Sequence, residues 1–157
     1  KYLHVENPSV GDDEIKLNYI HGKVGEQLNP LIFGFGDELD KKYHDIELAN
    51  NNTFFEHIKS FWYFKTRNYS DLIKFINLQQ YEIFILGHSC GLSDRTLLNM
   101  IFEHDNCNSI QIFYHQSKHG NNFTNLTHEI SRHFRNKIQM RERITPFPDC
   151  QAMPQFD

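Results

Sequence analysis

Residues 81–98 read YEIFILGHSCGLSDRTLL. Tyr81 to Leu86 is a near-continuous apolar run, the pattern of a central parallel strand covered on both faces. It stops at Gly87, and Asp94 to His104 follows as a helix, with Leu97, Leu98, Ile101 and Phe102 at three-four spacing. Strand, turn and helix in succession are the building unit of an α/β sheet, so this stretch sets the fold class.

Working outward, Ile110 to Tyr114 repeats the strand pattern, and Thr124 to Phe134 carries Leu126, Ile130 and Phe134 on one helical face. Upstream, Leu17 to Ile20 and Pro30 to Phe35 have strand length and each stops at a glycine. Helices are predicted over Asp37 to Asn50, and after a Thr53–Glu56 capping box. In the latter, Phe54, Phe55, Ile58, Phe61, Trp62 and Phe64 are spaced for a buried face. A further helix, capped by Ser70, runs through Leu78. The pattern predicts a three-layer Rossmann-like α/β domain with a mainly parallel sheet over residues 1–145. Pro146, Pro148 and Pro154 mark 146–157 as a poorly ordered tail. The chain begins at Lys1 rather than Met, and is expected to be a fragment of a larger protein.

At 157 residues this is one ordinary domain. A net charge of −4 without long like-charge runs does not indicate nucleic acid. No window approaches the roughly 18 apolar residues of a membrane span. Cys90, Cys107 and Cys150 lack paired zinc spacing and fit reduced thiols in a cytoplasmic protein. Ten histidines invite a metal reading, but His115/His119 sit in loop sequence and His128/His133 fall on different sides of a helix, so no metal is expected.

Gly87-His88-Ser89-Cys90-Gly91 spells the G-x-S-x-G nucleophile elbow. An elbow needs its helix to start at once, whereas Ser93-Asp94 reads as a later helix cap. The competing chemistry is a backbone cradle: a strand ending in glycine, with small residues before a helix, exposes N–H groups to an anion. There Gly87, His88 and Ser89 line a ligand, Ser89 donating through its hydroxyl, and Asp94 reaches a ribose or holds the loop closed. The bland alternative is that Ser93 and Asp94 only cap the helix and His88 fills a gap at the sheet edge. His21-Gly22 ends another strand, where a neutral imidazole is placed to act as general base; a purely structural histidine is the alternative. Gly34-Phe35-Gly36-Asp37 is a partial glycine motif whose Asp37 is a candidate catalytic carboxylate or a helix-cap acid. Ligands of such sheets bind at strand carboxyl ends, where these residues converge.

The series YIHGKVGEQLNPLIFGFGDELD, FKTRNYSDLIKFI, IFILGHSCGLSDRTLLNMIFEHDNC and IQIFYH resembles the C-terminal half of the bacterial abortive-infection AbiH family over roughly residues 17 to 145. That resemblance implies phage defence. The order of strand-His-Gly, strand, and strand-Gly-x-Ser with a downstream Asp also looks like sirtuin-like domains, several of which hydrolyse NAD. By that likeness His21 matches the His-Gly histidine, and Gly87, Ser89 and Asp94 match the nucleotide-facing loop and its acid. The N-terminal G-x-G-x-D loop of those domains has no counterpart here, and Cys90-Gly91 departs from their loop. Three functions are therefore expected: a nucleotide-binding enzyme acting on NAD or a related nucleotide, a serine hydrolase using the GHSCG turn, or a non-enzymatic scaffold sensing a phage-derived trigger.

Overall fold

A computed structural model describes residues 3–6, 16–35, 38–40 and 42–154. Its sheet has the order β1 (Leu3–Glu6), β2 (Tyr81–Leu86), β3 (Cys107–Phe113), with β2 and β3 parallel and β1 antiparallel to β2. The strand at 81–86 is central, as its apolar run predicts. Only one face is buried, however: Tyr81, Ile83 and Ile85 are covered while Glu82 and Leu86 are exposed. Period two explains this, since alternate residues point to opposite faces. On the open face Phe84 lies against Phe113, ring centres 6.3 Å apart. A register shift after Tyr81 sets Ile110 beside Ile83 and Ile112 beside Ile85.

The helices are α1 (Tyr43–Leu48), α2 (Lys59–Tyr63), α3 (Asn68–Leu78), α4 (Arg95–Glu103), α5 (Phe123–Ser131) and α6 (Lys137–Arg143). The core joins Ile83, Ile85, Ile110 and Ile112 to Leu97, Leu98, Ile101 and Phe102 of α4, with Leu72 and Ile76 of α3 and Leu126 and Ile130 of α5. The fold is thus a mixed helix–strand domain around one parallel strand pair.

Three expectations change. Residues 17–20 and 30–35 form no strand. They belong to a loop closed by backbone bonds from Gly22 N–H to the Tyr19 carbonyl and from Ile32 N–H to the His21 carbonyl. Phe35 alone makes a bridge, to Ile58. The aromatic segment does not form one amphipathic helix. Asn51, not a Thr53–Glu56 box, caps it by accepting the Thr53 N–H, which starts a 3₁₀ turn over Asn52–Phe55, with the short α2 following. Five residues give α2 too little length to bury a stripe, so Phe54, Phe61 and Phe64 are exposed while Ile58, Lys59 and Tyr63 go inside. The proline-marked segment after Arg143 packs along β3: Tyr114 N–H bonds the Gln151 carbonyl, Met153 N–H bonds the Tyr114 carbonyl, and Cys150 is buried.

The 19–32 loop depends on Gly22. Its φ is +83°, and a Cβ there would lie 2.0 Å from the Pro30 carbonyl oxygen. Gly25 has nearly the same φ, +81°, with nothing within 4 Å. Gly25→Ala is expected to cost about 1 kcal/mol for the left-handed backbone alone, and Gly22→Ala about 3 kcal/mol because the backbone must also move. Urea midpoints check this; equal losses would refute the steric part.

Candidate functional site

The site centres on Asp94, which stands at the N-terminal end of α4 after a 3₁₀ turn over Leu92–Asp94. Its carboxylate does not cap the helix. Three side chains from distant parts of the chain converge on it instead. Lys59 Nζ donates to Oδ1 at 2.7 Å, His21 Nε2 lies 3.2 Å from Oδ1, and His88 Nε2 lies 3.6 Å from Oδ2. The carboxylate and Lys59 are about nine-tenths covered, while the His21 side chain keeps 35% of its surface exposed.

Local structure brings each group in. Lys59 opens α2, where its N–H bonds the Phe35 carbonyl and the Phe35 N–H bonds the His57 carbonyl. Gly34 permits that approach, since its φ is +126° and a Cβ would sit 2.1 Å from the His57 carbonyl oxygen. His21 is carried by the Gly22 turn, and Asn68 of α3 fastens this loop by donating to the Tyr19 carbonyl and Asn29 Oδ1. Tyr63 lies behind His21, its hydroxyl 3.2 Å from Nε2, and stacks on Tyr69. His88 follows Gly87, which turns the chain at φ +66°.

The hydrogen bonds define the tautomers. Cys90 N–H can only donate, so His88 Nδ1, 2.9 Å away, accepts, and the proton of the neutral ring is on Nε2, toward Asp94. That tautomer keeps Nε2 from ligating a metal. Lys59 is the cation at this carboxylate, and among the described residues no group of His, Cys, Asp and Glu is arranged for a metal. A carboxylate only accepts, so His21 also presents Nε2–H to Asp94; in the neutral ring this leaves the lone pair on Nδ1, which has no partner among the described residues. A carboxylate-held imidazole with a free lone pair is the working form of a general base.

Burial by itself would raise the Asp94 pKa, but the bonds from His21, His88 and Lys59 reverse this and hold the carboxyl well below its usual range. Asp94 is therefore an anion at all physiological pH, serving to hold and orient rather than to carry a proton. Burial, then the Asp94 charge, pushes the Tyr63 hydroxyl up, so it stays protonated.

Of the residues expected from the sequence, His21, His88 and Asp94 meet at one carboxylate, with Gly22 and Gly87 shaping their turns and Gly34 the approach of Lys59. Ser89 is exposed, with no histidine in hydrogen-bonding reach among the described residues. The strained position of the turn is Cys90, at φ +51°, and not Ser89. Gly36 and Asp37 lie outside the described residues; Glu38 N–H, just beyond them, donates to Thr96 Oγ1 in α4. Lys59, Tyr63 and His133 were not singled out by pattern. The signal for Lys59 is a lone lysine between Ile58 and the aromatic run, where a cation enters only with a partner.

His133 is 1% exposed and donates from Nε2 to the Cys90 carbonyl at 2.7 Å. Burial lowers its pKa from 6.5; the bond to Cys90 opposes this, Arg95 adds to the lowering, and Asp94 and Glu129 oppose it. The unfolded chain thus takes up a proton here that the folded protein refuses. Its contribution to stability is whole above pH 6.5 and is lost as pH falls toward the depressed folded pKa. Urea midpoints should decline as pH falls below 6.5, and less so in His133→Gln; equal declines would refute this.

Among the described residues no helix is long and apolar enough to cross a membrane. No curated protein and no solved structure matches the chain significantly. The family model for bacteriophage abortive infection AbiH matches residues 4–116, a span holding His21, Lys59, His88 and Asp94. With more than half its length so matched, the chain belongs to the bacteriophage abortive infection AbiH family.

Proposed function

We propose that this AbiH-family chain carries the base of a nucleotide-hydrolysing site, acting on NAD or a related nucleotide during abortive phage infection. Family membership indicates the phage-defence role. The observation that carries the chemistry is His21, with Nε2 on the buried Asp94 carboxylate and a part-exposed ring. In the reaction proposed, His21 Nδ1 takes a proton from water as the water oxygen bonds to ribose C1′. The C1′–N bond breaks, its electron pair leaves with nicotinamide, and the pyridinium charge is neutralised.

In this reading Gly87 and Ser89 donate hydrogen bonds to the ribose or phosphates, and His88 supports Asp94 from the loop side. Asp37 remains a candidate catalytic carboxylate, and Gly36 a ligand-binding glycine, on sequence grounds. Ser89 serves as donor and not as nucleophile, because no histidine among the described residues lies within hydrogen-bonding reach of it. The protein is proposed to act in the bacterial cytoplasm, where NAD is abundant. Incubating it with NAD and following nicotinamide by chromatography tests the reading. Release of nicotinamide is expected; no release of nicotinamide, and no base from related nucleotides, would overturn it.

A second reading is favoured by the exposed aromatics Phe54, Phe61 and Phe64, which suit a phage-derived trigger. In that reading the chain is a non-enzymatic scaffold, and Phe64→Ser should abolish defence in plaque assays while His21→Ala leaves it intact.

A further inference from the structure

We propose that His133, at the end of α5 and remote in sequence from the cluster, is a positioning residue that sets the tautomer of His88 by clamping the Cys90 peptide. The proposal rests on the reading of His21, His88 and Asp94 as one functional cluster.

The Cys90 residue is gripped on both sides. Its N–H donates to His88 Nδ1 at 2.9 Å, and its carbonyl accepts from His133 Nε2 at 2.7 Å. Between these bonds Cys90 holds φ at +51°, a left-handed backbone that is unfavourable for a residue with a Cβ. Both bonds use backbone atoms of Cys90, so they act on this left-handed geometry directly. A relaxed Cys90 would swing its N–H off the His88 ring, which could then turn or change tautomer.

His133 is also an unfavourable choice for packing alone. It is 1% exposed, and its Nδ1 is buried without a hydrogen-bond partner. An unsatisfied buried acceptor is costly, and a leucine of similar size would leave none. The return is the bond to Cys90. The backbone behind that bond is fixed, since the His133 carbonyl accepts from Asn99 of α4 and its N–H bonds the Ile130 carbonyl. Phe102 meets the ring edge-on at 6.0 Å. A rigid α4–α5 corner thus holds Cys90, Cys90 sets His88, and His88 faces Asp94, which orients His21.

The test is long-range proton–nitrogen NMR of the imidazoles, combined with nicotinamide release from NAD. In the wild-type protein both His88 and His133 should show the Nε2–H tautomer at pH 7.5; an Nδ1–H tautomer at either overturns the proposal without any variant. In His133→Leu the His88 signals should shift to a tautomer mixture, and nicotinamide release should fall about 10- to 100-fold. His133→Gln, which keeps a donor toward Cys90, should restore the single tautomer and most of the rate. A folded His133→Leu with an unchanged His88 tautomer overturns the proposal. If the wild-type protein releases no nicotinamide, the hydrolase reading fails, while the tautomers still decide this one.

Discussion

Asp94→Asn is expected to lower stability by about 3–5 kcal/mol, because it leaves a buried ammonium without its counter-charge. For a domain of this size that corresponds to a fall of roughly 10 °C in Tm. The reason lies in the donor count. Lys59, His21 and His88 all present N–H groups to one carboxylate. An asparagine has one oxygen to receive them, and its NH₂ must face another donor. Lys59 suffers most, being 8% exposed and 2.7 Å from Oδ1. Lys59→Met in the same background should recover much of the loss, since a buried neutral pair needs no charge compensation. Circular dichroism melts at pH 7 measure both. A Tm for Asp94→Asn within about 2 °C of wild type would show that the pair carries no net stability.

The pH dependence follows the same cluster. The folded Asp94 pKa lies below 3.8, so the unfolded chain protonates first as pH falls. The stabilisation is whole above pH 3.8 and is lost below it.

His21→Ala tests chemistry rather than architecture. The side chain is 35% exposed and its loop is held by Gly22 and Asn68, so the fold should survive with little change in Tm. Nicotinamide release should fall by about 10²–10⁴-fold, the range for loss of a general base. His21→Ala and Asp94→Asn would then separate as follows: the first inactive and stable, the second inactive and destabilised. An unchanged rate in His21→Ala, in a preparation whose wild type cleaves NAD, would remove His21 from the mechanism. Phage plaque counts on bacteria carrying the same variants link the chemistry to defence.

How much of this was legible depends on the range of the interaction. The strand at 81–86, the helix at 95–103 and the 110–113 part of the next strand are visible because apolar spacing and a glycine stop are local signals. Residues 17–20 and 30–35 carry the same signals and are not strands, because a strand exists only where a neighbour accepts its hydrogen bonds. Here the backbone groups pair within a Gly22-centred loop. The aromatic run at 54–64 misleads for the opposite reason: helical spacing is present, but the chain breaks after a 3₁₀ turn and leaves phenylalanines in water.

The sequence by itself determined that a strand–turn–helix unit exists at 81–103, and it marked His21, His88 and Asp94, each near a glycine turn, as candidate site residues. It also resembled the family that the family match then established. Only the tertiary structure decided that Asp94 abandons the helix it precedes, that Lys59 is its partner across 35 residues, and that His133 holds Cys90 across 43. A side chain's orientation is set by which donors come within about 3 Å of it, and no spacing along a chain encodes that distance until the chain is folded.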